Sequence, residues 1–167
     1  MPNLWRFIGK KPPSSGETIE DLFVHAWQCQ YDKPTLKKLA DELLPEDRAL
    51  YQDLRKSIVN ILKAKPKLEW MGLSWSWCEV TALDDTSPLI AVHLIPDPQN
   101  PRVALTLSTA FFDAHPPSKL PKGLHSGLST ATAIGHQSWC EWPIGSQENV
   151  QAIQEVIKLA HNGSCPA

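Results

Sequence analysis

The sequence predicts an α+β domain, an antiparallel sheet of four or five strands with helices packed on one face. Three observations carry this. Apolar residues recur at helical spacing from Ile19 to Leu62. After Lys65-Pro66-Lys67 the period switches from 3.6 to 2 and stays so in short blocks to Thr109. Helical spacing returns from Val150 to Ala160. The predicted order is ααα-βββ-(loop)-β-α, with strands in a block and helices on either side of it.

Residues 1–17 read as an N-terminal arm and linker, and residues 18–167 as one α+β domain. The arm carries Leu4, Trp5, Phe7 and Ile8, followed by the Pro-rich stretch Lys10 to Gly16. An apolar arm of this kind is expected to dock on the domain or on a second copy, which makes a homodimer possible. Thr18 suits a helix N-cap, and Ile19, Leu22, Phe23, Ala26 and Trp27 supply the apolar stripe. A second helix is expected from Asp32-Lys33-Pro34, with Leu36, Leu39, Ala40, Leu43 and Leu44 inward. A third is expected over residues 46–64, burying Leu50, Leu54, Ile58, Ile61 and Leu62. Its Arg48, Asp53, Arg55 and Lys56 read as an ordinary solvated face.

Residues 68–81 read as one long strand. Met71, Leu73, Trp75, Trp77 and Glu79 then share one face, and Trp70, Gly72, Ser74, Ser76, Cys78 and Val80 the other. Leu89 to Ile95 is apolar almost throughout and suits a central strand covered on both faces. Arg102 to Thr109 alternates, with Val103, Leu105 and Leu107 inward. These three make a meander. Residues 110–135 contain a possible helical turn, a Pro-rich run and, from Leu124 to Gly135, a Ser/Thr/Ala/Gly-rich stretch that suits a loop or a weak edge strand. They read as a long loop of the kind that often carries function. A last strand runs from His136 to Ile144, and Ser146 caps a last helix that Gly163 ends.

Composition excludes several classes. Hydrophobic residues make up 42% and charged residues 20%, with a net charge of −2. That balance lacks the basic field of a nucleic-acid binder. No apolar run approaches the ~18 residues that cross a membrane, and the first residues do not read as a signal peptide. A cytoplasmic chain is therefore expected. Cys29, Cys78, Cys140 and Cys165 form no Cys-x-x-Cys pair, so neither a zinc ribbon nor a thioredoxin-type site is encoded. Four free thiols are expected in a reducing compartment. No cofactor loop and no local metal motif is present, and none of either is expected.

Two features carry the chemistry. The tetrapeptide Ser-Trp-Cys-Glu occurs twice, at Ser76-Trp77-Cys78-Glu79 and at Ser138-Trp139-Cys140-Glu141. Seven tryptophans are present, several of them in or next to these copies. Large aromatics most often build core, and a Glu at a strand end most often reaches water. The functional reading makes Trp70, Trp75, Trp77, Glu79 and His93 the walls and polar groups of a cleft, covered by residues 110–135. Its ligand would be a small molecule or a protein partner. An alternative is an enzyme in which Glu79, Glu141, His93 and His136 converge. A third reading is a structural or oligomerising module. Ser126 does not sit in a Gly-x-Ser-x-Gly elbow, so a hydrolase is disfavoured.

From Pro45 to Ala160 the order of elements resembles a family of small, mostly uncharacterised bacterial domains, the YdhG-like or "iron-chaperone-like" family. The resemblance rests on the acidic helix Pro45-Glu46-Asp47-Arg48-Ala49-Leu50-Tyr51-Gln52-Asp53-Leu54-Arg55 and the aromatic strand Glu69-Trp70-Met71-Gly72-Leu73-Ser74-Trp75. It rests also on the apolar strands Pro88 to Val92 and Arg102 to Leu105, and on the helix opening Gln147 to Ile153. The similar YjbR-like family fits nearly as well. The Trp-rich strand, the N-terminal helices and the Pro-rich loop depart from the family pattern. The resemblance implies an α+β fold and carries over no catalytic residue.

Overall fold

A computed structural model of the chain describes residues 25–72, 76–84 and 86–163. The N-terminal arm, the start of the first expected helix, Trp75 and Cys165 lie outside these residues. The fold is α+β. Strands β1 (Lys67–Met71), β2 (Ser76–Ala82), β3 (Leu89–Ile95), β4 (Arg102–Ser108), β5 (Thr132–Ile134) and β6 (Gln137–Pro143) form one sheet. Their order is β1-β2-β3-β4-β6-β5, and every neighbouring pair is antiparallel. The expected meander is β2-β3-β4. All seven residues of β3 are buried, as a central strand covered on both faces requires.

The strand count is slightly higher than expected. The single strand expected over residues 68–81 is a hairpin, β1 and β2, in which Trp70 stands opposite Trp77. A strand of that length would be more than twice the usual ~5–6 residues, and exposed Gly72 closes β1. The fold-back corrects the face assignment too. Antiparallel partners here have odd residue sums, so Trp70 and Trp77 share a face, with ring centroids 5.6 Å apart and edge to face. The edge strand β5 falls within Leu124 to Gly135, the stretch that suits a loop or a weak edge strand.

Five helices accompany the sheet among the described residues: α1 (Leu36–Asp41), α2 (Pro45–Leu62), α3 (Thr109–Ala114), α4 (His125–Ser129) and α5 (Gln147–Asn162). Thr35 caps α1 by accepting from Lys38 N. Pro45 stands in the first turn of α2 with Glu46 and Asp47 beside it, and Lys63, at φ 52°, ends the helix. Ser146 caps α5 by accepting from Asn149 N. Residues 26–28 form only a 3-10 turn where a helix was expected to continue. Its first N–H, on Ala26, donates to the Glu42 carboxylate instead of to a carbonyl one turn earlier.

α2 and α5 lie on one face of the sheet and bury Leu54, Ile58, Ile153 and Ile157 against Val103, Leu105, Leu107 and Trp142. Phe111, Leu120 and Leu124 join the same core, so residues 109–129 are packed structure and not a cover. The second face is not bare. Ala26, Trp27 and Leu39 bury Cys78, Val80, Ile95 and Ala104 there in a smaller cluster. Helices α2 and α5 thus cover one face, and residues 26–28 with Leu39 of α1 cover part of the other.

Candidate functional site

The two Ser-Trp-Cys-Glu copies face opposite ways. β2 and β6 are linked through β3 and β4 by the rows Glu79–Leu94–Val103–Trp142 and Val80–His93–Ala104–Glu141. Glu79 is therefore level with Trp142, and Glu141 with Val80. The copies are displaced by one residue in register, and a one-residue shift exchanges the faces. Trp77 and Glu79 face the helices, whereas Trp139 and Glu141 face the second side. The two thiols separate likewise, Cys78 in the second-face cluster and Cys140 in the main core.

Glu79 does not reach water. It is 2% exposed, and its two oxygens accept from Tyr51 Oη at 3.0 Å and Arg55 Nε at 2.6 Å. Arg55 is thus the partner of a buried charge rather than part of a plain solvated face. Burial, and then the Glu79 charge, raise the Tyr51 hydroxyl well above its ordinary range. Trp77 is buried too, and its indole N–H donates to Cys29 O at 2.7 Å. Trp70 packs on Trp77. The expected cleft wall of Trp77 and Glu79 is thus filled by side chains that use up its polar groups.

The four residues of the enzyme reading do not meet. Glu79 is on the helix face, and His93 and Glu141 share the second face with Ala104 between them. His136 is exposed at the turn before β6, where its carbonyl accepts from Thr109. His93 is buried, and its ring lies 4.6 Å from that of Trp139. Desolvation lowers its pKa to about 4, which keeps the imidazole neutral at physiological pH. Its Nδ1 has no hydrogen-bond partner. Among the described residues no group of His, Cys, Asp and Glu could hold a metal ion.

The second face has a cleft of about 100 Å³ instead, lined by Trp27, Met71, Ser76, Cys78, Ile95, Arg102, Trp139 and Glu141. Met71 and Ser76 are cross-strand partners. Arg102 opens β4 on the same face and donates from Nη1 to Glu141 Oε1 at 2.5 Å. Its Nη2 lies 3.8 Å from Asp97 Oδ2. Trp139 Nε1 donates to the other Glu141 oxygen at 3.1 Å. The Glu141 carboxylate is therefore occupied. Two donors are not. Trp27 Nε1 and Arg102 Nε are buried and have no acceptor. Burial pushes the Cys78 thiol up to about 11, so it stands there protonated.

Of these residues the sequence singled out Trp139 and Glu141 through the repeat. Trp27 was assigned to a helix stripe, and Arg102 to the start of a strand. The available signal was parity: Arg102, Ala104 and Thr106 lie opposite in phase to Val103, Leu105 and Leu107. A wider depression of about 240 Å³ lies between the β2–β3 turn and His161. The Asp84 carboxylate beside it already accepts from Thr86 N. No family model matches the chain, and no curated protein or solved structure was found to be similar to it.

Proposed function

We propose that the chain is a binding domain whose small-molecule ligand enters the second-face cleft between Trp27, Trp139 and the Arg102–Glu141 pair. One observation carries this reading. Trp27 and Arg102 both line this cleft, and Nε1 of the one and Nε of the other are buried donors without an acceptor. Buried polar groups are nearly always hydrogen-bonded, and each one left over costs about 1–3 kcal/mol. A ligand acceptor removes that cost. The apolar walls Met71, Ile95 and Trp139 add contact area around it.

The reading keeps the idea of an aromatic-walled cleft and moves it from the helix face to the second face. Trp27 and Trp139 replace Trp75 and Trp77 as the aromatic walls, and Glu141 replaces Glu79 as the carboxylate. The test is a screen of small polar fragments at millimolar concentration against the ¹⁵N-labelled chain. The Trp27 and Trp139 indole N–H signals should move together and saturate for at least one fragment. Indole signals that no fragment moves would refute the reading.

A further inference from the structure

We infer that the cleft is built for a neutral carbonyl group of amide size, an inference that rests on the binding reading above. The donor and acceptor inventory decides the class. Arg102 Nη1 and Trp139 Nε1 each take one oxygen of the Glu141 carboxylate. Trp27 Nε1 and Arg102 Nε are left over, and both are donors. A ligand must therefore bring an acceptor. A ligand with donors alone, such as an ammonium, would leave both of these donors without an acceptor.

Charge then separates a neutral acceptor from an anionic one. The Arg102 guanidinium faces two carboxylates, Glu141 at 2.5 Å and Asp97 at 3.8 Å. His93, in contact with Trp139, is neutral, and Cys78 is a thiol. Among the described residues the cleft lining carries one positive and one negative side chain, Arg102 and Glu141, and Asp97 sets a second negative charge against the same guanidinium. A carboxylate or phosphate would enter a net negative field of partly buried groups, where repulsion is screened less than in water. A carbonyl oxygen brings two lone pairs and no charge.

Size sets the rest. A cleft of about 100 Å³ is well above the ~10–15 Å³ that one water needs by the same measure, so it admits a group of several heavy atoms. That suits an amide with one or two methyl groups, standing alone or as the end of a larger molecule. Met71 and Ile95 offer the methyls an apolar wall, and Trp139 offers the amide plane an aromatic one. The Cys78 thiol is protonated at neutral pH, so the cleft holds its ligand without covalent capture.

The experiment titrates the ¹⁵N-labelled chain with N-methylacetamide, acetate and methylammonium, and reads the Trp27 and Trp139 indole signals. N-Methylacetamide should bind in the millimolar range, with acetate and methylammonium at least about tenfold weaker, a difference of ~1.4 kcal/mol. Trp27→Phe deletes one donor and should weaken the amide roughly fivefold, as for one lost hydrogen bond. Arg102→Lys keeps the positive charge but loses Nε, and should weaken it at least as much. Lys37→Ala, on the exposed side of α1, should change nothing. The dispersion of the remaining indole signals reports whether each variant is folded, and either Trp27→Phe or Arg102→Lys suffices for the test. Acetate or methylammonium binding as tightly as the amide overturns the neutral-carbonyl inference and leaves the binding reading standing. So does an amide affinity unchanged in a folded variant. Silence from all three probes overturns both.

Discussion

Tyr51, Arg55 and Glu79 are a buried carboxylate with both of its partners in place. Removing one partner strands the charge, whereas removing the charge as well does not. Arg55→Ala should therefore cost about 2–4 kcal/mol in denaturant unfolding, the low end being favoured because Arg55 is a third exposed. Adding Glu79→Gln to Arg55→Ala should recover part of that loss. A double-variant cost equal to the sum of the two single-variant costs would show that the pair is not coupled. His93 supplies the pH dependence. Its pKa falls from the ordinary 6.5 to about 4 on folding. Between those values the unfolded chain binds a proton that the folded chain refuses, so stability falls as pH drops through that window and levels below it. The loss is on the order of a few kcal/mol, at ~1.4 kcal/mol per unit. His93→Leu should flatten this part of the melting-temperature profile between pH 7 and 4, and a profile parallel to that of the parent chain would refute the assignment.

At the scale of elements, the segment over residues 109–135 differs most from its expectation. The sequence offers a helical turn, a weak edge strand and otherwise a long loop over a cleft there, and the segment is two short helices, two 3-10 turns and an edge strand. Its anchor is Trp142, whose indole N–H donates to Leu124 O at 2.8 Å. Gly127 of α4 lets this indole and the β6 backbone come close, since a Cβ there would stand 2.5 Å from Glu141 O. Helix propensity alone makes Gly→Ala stabilising by ~1 kcal/mol. The packing reverses that sign, and Gly127→Ala should destabilise by about 1–3 kcal/mol. A rise in melting temperature would show that α4 is not seated on β6. Period alone could not reveal this segment. Its helices are five and six residues long, too short to display a face, and its packing contacts are with residues far along the chain.

For the molecule as a whole, the sheet divides the chemistry between two faces, and the cysteines report the division. Cys29, Cys78 and Cys140 are free thiols among the described residues. Burial raises Cys78 and Cys140 to about 11, while Cys29 is half-buried. Alkylation of the native chain at neutral pH should mark Cys29 well before Cys78 and Cys140. Mass spectrometry of the denatured chain without reductant should find all four cysteines alkylatable. Rapid native labelling of Cys78 would mean that the second-face cluster opens readily.

The α+β class and the blocks of helix and strand could be read from the chain because hydrophobic period is a local property. Leu54 and Ile58 announce α2, and Val103, Leu105 and Leu107 announce β4, with no knowledge of their partners. The repeated tetrapeptide was legible in the same way, and it drew attention to Trp139 and Glu141. Which way each copy faces was not. That depends on the register of β2 through β3 and β4 to β6, and on the fold-back between β1 and β2. Each is set by pairings between residues distant in sequence. One residue of offset turns Glu79 towards Tyr51 and Arg55 and turns Glu141 towards Arg102. Local sequence therefore determined the elements, and tertiary pairing decided the site, because a strand has two faces and only its neighbours choose between them.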